Sequence, residues 1–404
     1  RDLHLSLRRQ RQMCIRDSRS TEDGTTMKVC HCTSVHTRYD IRIYLKQCRS
    51  LAAAGHQVCL VVADGQGDEE RDGVQIIDAG MREQSRRRRM RLTVRNVRNV
   101  AASLQADVYH LHDPELIPAG KWLARTGKPR KSRIIYDAHE DLPQQIMGKA
   151  WLPVIIRPFL AWYMGRYLRR SCRRFDAIIC ATPHIQQWFA RVNSRSVNIN
   201  NYPILGELEL PTKEVDWSMK RQVCYIGGLT RIRGIAEIVQ AMEHVQEDIK
   251  LVIAGEFIND GLQDEVQQAI GWQQTEHLGF LDRTQVAQVL LASFAGMVTL
   301  LPQQSYIDSL PIKMFEYMSA GIPVISSHFS LWRSIIEGAN CGICVDPQNP
   351  AAIAQAINRL ATEPETARQM GQNGLQAVRE KFNWGVENKK LLAVYAELEN
   401  TFRV

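Results

Sequence analysis

Apolar and polar positions alternate in short blocks along most of this chain. From Met27 onward, apolar runs of strand length are followed by amphipathic segments of helical length. The runs in the first half are 28–33, 57–63, 74–78, 107–111, 133–137 and 176–181. Helical segments between them include Ile41 to Ala54, which ends at Gly55, and Glu115 to Arg125, which ends at Gly127. Strands that alternate with helices in this way predict a parallel sheet covered by helices.

A second series of the same kind fills the second half of the chain. Its runs are 223–228, 250–255, 277–280, 296–301, 323–327 and 342–345. Between the two series, the acidic interval 206–220 contains Pro211 and predicts a linker. We therefore predict an α/β protein with two Rossmann-like doubly wound domains, residues 27–205 and 221–385, that face each other across a cleft.

The composition agrees with two globular domains and excludes several other classes. The 404 residues are 45% hydrophobic and 23% charged, which is typical of a globular protein with more than one core. The chain has no run of eighteen apolar residues that would predict a membrane-spanning helix, and its start does not resemble a signal peptide. Ten cysteines lack a framework spacing, and the pair Cys341 and Cys344 has no second pair. Reduced thiols in a cytosolic protein are the expectation.

The first 26 residues do not follow the pattern of the rest. The segment from Gln12 to Ser18 resembles the translated end of a sequencing adaptor. We expect residues 1–26 to be foreign to the native chain and Met27 to be its true start. A basic disordered tail is the alternative.

Charge is divided unevenly between the two halves. Residues 28–205 hold 29 Lys and Arg against 15 Asp and Glu, whereas residues 206–404 hold 16 against 24. The basic half includes Arg86 to Arg89 and the segment 151–174. In that segment Arg166, Arg169, Arg170, Arg173 and Arg174 interleave with Phe159, Trp162, Tyr163 and Tyr167. Such a segment favours an anionic membrane surface. A solvated face and a nucleic-acid site remain alternatives.

The stretch 308–324 carries the most specific chemistry. It reads Asp-Ser-Leu-Pro-Ile-Lys-Met-Phe-Glu-Tyr-Met-Ser-Ala-Gly-Ile-Pro-Val. Pro311 opens a predicted helix and Gly321 ends it. Lys313 and Glu316 are three residues apart and share one helix face. Because helix N-termini attract phosphate and a carboxylate accepts hydrogen bonds from sugar hydroxyls, the stretch predicts a nucleotide-sugar site.

This stretch resembles the donor-binding signature of the family 4 glycosyltransferases, retaining enzymes with the GT-B fold. The signature is an acidic residue, seven residues and then Glu, and here it runs from Asp308 to Glu316. The family usually has Glu first, so Asp308 shortens that side chain by one methylene. The resemblance implies that Glu316 holds the ribose, that Asp308 holds the sugar hydroxyls beside Ser309 and Leu310, and that Lys313 holds the diphosphate.

A glycine turn at the start of the second domain predicts a phosphate cradle. It contains Gly227, Gly228, Arg231 and Arg233. Glycines let backbone N–H groups approach phosphate closely, and guanidinium groups bind diphosphate oxygens in pairs. The family usually has Arg and Lys where this chain has Gly228 and Arg233, with Arg231 as a substitute. By resemblance, Gly255 and Glu256 border the nucleobase and ribose.

Several polar residues of the first domain are predicted to lie on the acceptor side. These candidates are His36, Arg38, Asp40, His139 and Glu140. His112 precedes Asp and Pro at a strand end, and in related transferases the histidine of this motif approaches the donor sugar. The resemblance therefore implies a catalytic role for His112. Many relatives carry a glycine pair in the loop that here holds His36, so we expect an unusual acceptor environment.

Together these features predict a retaining glycosyltransferase that uses a nucleotide-diphosphate sugar and a glycan or lipid-linked acceptor. The chain has no Asp-x-Asp triplet near this site, so we expect no metal and no cofactor, with Lys and Arg in the cation's place. We expect the enzyme to act in bacterial cell-surface polysaccharide synthesis at the inner face of the cytoplasmic membrane. We expect no nucleic-acid partner. By resemblance, residues 386–404 form a helix that packs back on the first domain. A sugar-nucleotide epimerase of the same architecture and a non-catalytic binding protein are the alternatives.

Overall fold

The computed structural model describes residues 26–126, 131–149, 151–208, 216–258 and 261–402. These residues form two α/β domains, each built around one sheet. The predicted GT-B class is confirmed. Residues 1–25 and residues 209–215 of the predicted linker lie outside the described residues, so the expectations for them stay predictions.

The first domain contains an eight-stranded sheet. Its strands are β1 (Lys28–Cys32), β2 (Gln57–Val62), β3 (Glu69–Arg71), β4 (Val74–Asp78), β5 (Val108–Leu111), β6 (Arg133–Ala138), β7 (Ala177–Cys180) and β8 (Ser196–Asn198). Their order is β3-β4-β2-β1-β5-β6-β7-β8, and β3 alone is antiparallel to its neighbour. The six predicted runs match six of these strands. The runs missed β3 and β8 because each has only three residues and lies at an edge of the sheet.

Helices cover both faces of this sheet. They are α1 (Arg49–Ala53), α2 (Arg86–Arg88), α3 (Val94–Ser103), α4 (Ile117–Thr126), α5 (Leu142–Met147), α6 (Ile156–Cys172) and α7 (Pro183–Ala190). Wider π-type turns at Ile41–Cys48 and Arg89–Thr93 lead into α1 and α3, and a 3₁₀ turn at Pro114–Leu116 leads into α4. The predicted end of the first helix is confirmed, since Gly55 has a φ of 93°.

The second domain contains a six-stranded parallel sheet. Its strands are β9 (Gln222–Ile226), β10 (Lys250–Ala254), β11 (Thr275–His277), β12 (Ala295–Val298), β13 (Val324–Ser327) and β14 (Gly342–Val345). Their order is β11-β10-β9-β12-β13-β14. The prediction was wrong for 277–280, because β11 ends where that run begins. Leu278 and Phe280 are instead exposed in the following loop.

The helices of the second domain are shorter near the cleft and longer towards the C-terminus. They are α8 (Ile235–Ala241), α9 (Leu262–Gln268), α10 (Arg283–Ala292), α11 (Gln304–Ile307), α12 (Ile312–Ser319), α13 (Ser330–Ile336), α14 (Pro350–Thr362) and α15 (Pro364–Glu380). Short 3₁₀ turns occur at Trp217–Met219, Arg231–Arg233, Met242–His244 and Ile270–Gln274.

The last helix, α16 (Trp384–Asn400), crosses from the second domain to the first. Its buried residues Leu391 and Leu398 belong to the same core as Val29 and Ile135 of the first sheet. Trp384 Nε1 donates to Ser50 Oγ at 2.9 Å. The helix therefore ties the two domains together. Among the described residues, no helix is both long and apolar enough to cross a bilayer.

Candidate functional site

The helix α12 presents two opposite faces. Met314, Phe315, Tyr317 and Met318 are buried in the core of the second domain. Tyr317 Oη accepts the Ile226 N–H at 2.9 Å, which fixes the helix to the end of β9. The helix begins after Pro311 and ends before Gly321, whose φ is 70°. Lys313 and Glu316 lie outside this buried set and are half-buried.

Two glycine turns meet in front of α12. Gly227 and Gly255 follow β9 and β10, and their φ values of 133° and 134° are strained for any residue with a Cβ atom. A Cβ atom on Gly255 would clash with the Gly227 carbonyl oxygen. Glycine is therefore required here for the two turns to pack against each other.

Two cations converge on the first of these turns. Cβ atoms on Gly227 and Gly228 would lie 3.1 Å from Lys313 Nζ and 2.9 Å from Arg233 Nη1. Arg233 Nη1 donates to the Gly228 carbonyl at 3.0 Å. The Lys313 ammonium is buried, has no hydrogen-bond partner among the described residues and lies 3.7 Å from the centre of the Tyr225 ring. Burial, and then the charge of Arg233, hold the pKa of Lys313 well below 10.5. An anion at this turn would relieve both effects.

The structure does not bring Arg231 to this cluster. Arg231 begins the 3₁₀ turn and forms an ion pair with Glu265, which lies in the first turn of α9. Its guanidinium is exposed and both of its terminal nitrogens are engaged. Of the two predicted arginines, Arg233 alone lies beside the glycine turn in this structure.

The acidic position of the predicted signature lies at the junction with the first domain. Asp308 follows α11, and its Oδ2 lies 3.6 Å from His184 Nδ1 of α7. The next residue, Ser309, is anchored because its carbonyl accepts the Trp332 indole N–H at 2.7 Å. Leu310 is half-buried, and Glu256 is exposed at the turn after β10.

The second acidic position, Glu316, is held by an arginine that also contacts a second carboxylate. Arg283, at the start of α10, donates through Nη1 to Glu316 Oε1 at 2.8 Å. The same guanidinium donates through Nη2 to Glu207 Oε1 at 2.8 Å. Glu316 is therefore oriented by a residue that also contacts the segment joining the two domains.

In the first domain, the side chain of His112 is buried. It is 2% exposed, and its Nε2 lies 2.9 Å from His31 Nδ1. Its Nδ1 lies 3.3 Å from Nε2 of His139, which is half-buried above it. Burial lowers the pKa of His112 to about 3, although Asp137 opposes that effect. His112 is therefore neutral at physiological pH, and His139 lies between it and the cleft.

A buried carboxylate organises these histidines. Asp137 accepts two hydrogen bonds from Arg42, at 2.8 and 3.0 Å, and one from Gln47 at 2.7 Å. Its Oδ2 also lies 3.2 Å from His139 Nε2. Burial alone would raise the pKa of Asp137, but the charge of Arg42 and the contacts with His139 and His112 together outweigh burial, and the pKa lies well below the usual range.

The loop after β1 has a structural framework of its own. Asp40 accepts the backbone N–H groups of Arg42 and Ile43 at 2.8 and 2.9 Å and so caps the helix that follows. His36 lies 3.2 Å from Asp40 and 3.5 Å from Asp113. Burial lowers the pKa of His36, but the hydrogen bond to Asp40 and the charge of Asp113 outweigh it, so the pKa is raised.

The structure gives two other acceptor-side candidates different surroundings. Arg38 is 5% exposed, because its guanidinium donates to Asp64 at 2.7 Å and to Glu69 at 3.2 Å. These bonds hold the loop after β2, so Arg38 has few donors left for a ligand. Glu140 is exposed beside the groove lined by Leu142 and Trp188.

Comparisons with known proteins identify the family of this chain. Residues 209–377 match the model for glycosyl transferases group 1, and residues 42–201 match the model for the glycosyl transferase 4-like domain. The chain belongs to the family 4 glycosyltransferases. This assignment favours the transferase over the epimerase and the non-catalytic protein that the sequence left open.

Named relatives share moderate sequence identity with this glycosyltransferase. Phosphatidyl-myo-inositol mannosyltransferase of Mycobacterium leprae is 23% identical over 295 residues, which are 72% of this chain and 73% of that protein. Other curated relatives match over only 45% and 48% of their own length.

Solved structures share the fold. Sucrose-phosphate synthase from Thermosynechococcus elongatus aligns with a TM-score of 0.74 at 19% identity, covering 93% of this chain and all of that one. Anabaena HepE in complex with UDP and glucose aligns with a TM-score of 0.68 at 12% identity, covering 92% and 100%.

Sequence reasoning missed three residues of this candidate site. Arg283 follows Asp282, whose capping box with Gln285 marks a helix start but does not reveal a contact with Glu316. His184 follows a helix-opening Pro183, which predicts the helix but not the approach of Asp308. Asp137 was not predicted as a site residue, whereas His139, two residues later, was. The signal for Asp137 is a charged residue inside a buried apolar strand.

Proposed function

We propose that this glycosyltransferase moves a sugar from a nucleotide-diphosphate sugar to a hydroxyl acceptor with retention of configuration. The observation that carries the proposal is the buried Lys313 ammonium, which has no hydrogen-bond partner among the described residues and lies beside Arg233 and the Gly227–Gly228 turn. A buried cation without a partner is costly. A bound diphosphate would supply the missing negative charge.

The remaining donor contacts are proposed from the positions around that cluster. Glu316, already oriented by Arg283, would accept hydrogen bonds from the ribose. Asp308 and the backbone of Ser309 and Leu310 would meet the sugar hydroxyls. Gly255 and Glu256 lie beside the same turn and would border the nucleoside. Arg231 would reach the diphosphate only after leaving Glu265.

The two cations explain how bond breaking is assisted. The leaving diphosphate gains negative charge as the glycosidic bond breaks, so fixed cations stabilise the transition state more than the ground state. Arg233 and Lys313 are preorganised in this way by the Gly228 carbonyl and the Tyr225 ring. We propose that they take the role of a metal ion and that the departing phosphate accepts the acceptor proton on the front face.

The acceptor is proposed to enter from the first domain. His139 and His36 have ring centres 5.1 Å apart at the ends of β6 and β1, where a hydroxyl group could be positioned. His112 would act through His139, as a neutral ring held by Asp137. We propose a glycan or lipid-linked acceptor in bacterial cell-surface polysaccharide synthesis, at the inner face of the cytoplasmic membrane.

Calorimetric titration with UDP-, GDP- and ADP-sugars tests the donor proposal. One of these should bind to the wild type and to Lys389→Met, an exposed lysine of α16, but bind much more weakly to Lys313→Met. Incubation of the bound sugar nucleotide without acceptor should return it unchanged. An epimerised product, or equal binding to both variants, would overturn the proposal.

A further inference from the structure

The helix α6 changes character along its exposed side. Ile155, just before the helix, is 91% exposed, and Phe159 and Trp162 are 66% and 60% exposed. The preceding residues Trp151 and Val154 are also exposed, at 67% and 70%. From Arg166 onward the same side carries arginines alone: Arg166, Arg169, Arg170, Arg173 and Arg174. One end of the exposed stripe is therefore apolar and the other end is cationic.

The cationic end forms one wall of a cavity. The cavity has a volume of about 1030 Å³ and lies between α4 and α6. Its charged lining residues are Lys121, Arg125, Arg166, Arg169, Arg170, Arg173 and Arg174. Among the described residues, none of these seven forms an ion pair with a carboxylate, and no carboxylate lines the cavity. We call this cavity the basic groove.

The cations of the basic groove repel one another. Burial lowers the pKa of Lys121, and the charges of Arg170 and Arg125 add to that effect. Two of the seven find aromatic partners, because Lys121 lies over the Tyr167 ring and Arg169 over the Trp188 ring. Such contacts do not neutralise the charge. A cluster of unneutralised cations around a cavity is complementary to several anionic groups held close together.

We propose that α6 and the basic groove form a docking surface for an anionic lipid bilayer. The apolar end inserts at the boundary between headgroups and acyl chains, and the basic groove binds headgroup phosphates. Nucleic acid would account for the arginines but would leave Ile155 and Phe159 in water. The continuity of both features along one helix favours the membrane.

The direction of α6 sets the orientation of the whole protein on that bilayer. Crossover helices run back from the carboxyl ends of parallel strands, and α6 connects the end of β6 to the start of β7. Its apolar end therefore lies near the cleft, as does α5, which contacts α11 of the second domain. This step rests on the proposed function: a lipid-linked acceptor would pass from the bilayer into the cleft beside Trp151.

Sedimentation of the full chain with vesicles tests the docking surface. The vesicles contain phosphatidylcholine alone or mixed with phosphatidylglycerol, at low and high salt. The wild type should bind the mixed vesicles, and less so at high salt. A basic-groove variant with Arg166, Arg169, Arg170, Arg173 and Arg174 changed to Gln should bind about tenfold more weakly or worse.

A matched control separates the surface from total charge. It carries Arg221→Gln, Arg333→Gln, Arg359→Gln, Arg368→Gln and Arg379→Gln on the second domain, which removes the same charge and should leave binding unchanged. The double variant Ile155→Ser and Phe159→Ser should lose the vesicle binding that persists at high salt. Hydrogen exchange on bound wild type should show new protection in 151–174.

Equal loss of vesicle binding in the basic-groove variant and in the control variant would overturn the proposal. So would binding of short duplex RNA or DNA through the same arginines without vesicle binding. Calorimetry with the donor nucleotide keeps the two proposals apart: the basic-groove variant should bind it normally. A protein that docks normally but binds no nucleotide would contradict the proposed function and leave the docking surface standing.

Discussion

Replacing Lys313 with Met should change folding and binding in opposite directions. The unliganded protein should become more stable, because the substitution removes a buried ammonium that has no hydrogen-bond partner among the described residues. Met has a similar length and keeps a favourable contact with the Tyr225 ring. Donor binding should weaken, because the same ammonium is the proposed diphosphate ligand.

The magnitudes follow from the surroundings of Lys313. An unsatisfied buried polar group costs about 1–3 kcal/mol, and the lost cation–π contact with Tyr225 offsets part of that. A net stabilisation of about 1 kcal/mol would raise the melting temperature by roughly 2–4 °C for a domain of this size. Loss of a hydrogen bond to a charged group costs about 1.5–3 kcal/mol, which weakens nucleotide binding roughly 10- to 150-fold. Loss of a preorganised contact to the transition state lowers turnover about 100- to 1,000-fold.

The stabilisation should also depend on pH. The pKa of Lys313 is lowered by folding, so the unfolded chain binds more protons than the folded protein between the lowered pKa and 10.5. The wild type therefore becomes more stable as pH rises through that window. The advantage of Lys313→Met should be largest at low pH and should disappear towards pH 10.5.

Thermal denaturation, calorimetry and initial rates on the same preparations would measure all three effects. Lys389→Met serves as the control, because Lys389 is an exposed residue of α16. The reasoning fails if Lys313→Met melts lower than the wild type and binds nucleotide equally well. That result would mean that Lys313 contributes to packing and not to an anion site.

Three further predictions test the surroundings of this cluster. In the pH window between the lowered pKa of Lys313 and 10.5, donor binding should take up a proton in the wild type and not in Lys313→Met, because the diphosphate raises that pKa. Calorimetry in buffers of different ionisation enthalpy measures this uptake, and equal uptake in both proteins across the pH range would rule out Lys313 as the source. Arg283→Gln should raise the KM for the donor about tenfold, since Glu316 loses the hydrogen bond that orients it. In steady-state measurements the KM of Arg283→Lys should lie between those of the wild type and Arg283→Gln. An unchanged KM in Arg283→Gln would show that Glu316 does not need this hydrogen bond. Gly255→Ala should lower the melting temperature by several degrees, because its Cβ atom would clash with the Gly227 carbonyl. The control Gly261→Ala, at a φ of 91° in open space, should lower the melting temperature less. Equal shifts in melting temperature would contradict the packing argument.

The local geometry of the proposed donor site could be predicted from the sequence because its parts are close together in the chain. The helix α12, its glycine end and the face shared by Lys313 and Glu316 all lie within twelve residues. The glycine turn after β9 is likewise continuous in sequence. In such segments the turn chemistry and the helical period fix the direction of each side chain.

The partners of these residues were not predictable, because packing and not spacing selects them. Glu316 meets Arg283 from 33 positions away, and Arg42 meets Asp137 from 95 positions away. The same limit applies to His112. Its position at a strand end was predicted, but its burial depends on His139, which lies above it.

These long-range contacts place the proposed donor site in electrostatic contact with the junction between the domains. The guanidinium of Arg283 forms ion pairs with both Glu316 and Glu207. If a ligand binds one of these carboxylates, Arg283 can interact more strongly with the other. Lys46, on the first domain, contacts Asn201 at 2.6 Å. Burial and the charge of Arg42 lower its pKa to about 7, while Glu207 and Glu316 raise it. A ligand on Glu316 therefore acts on charges in both domains, because Arg283, Glu207 and Lys46 form one network across the junction.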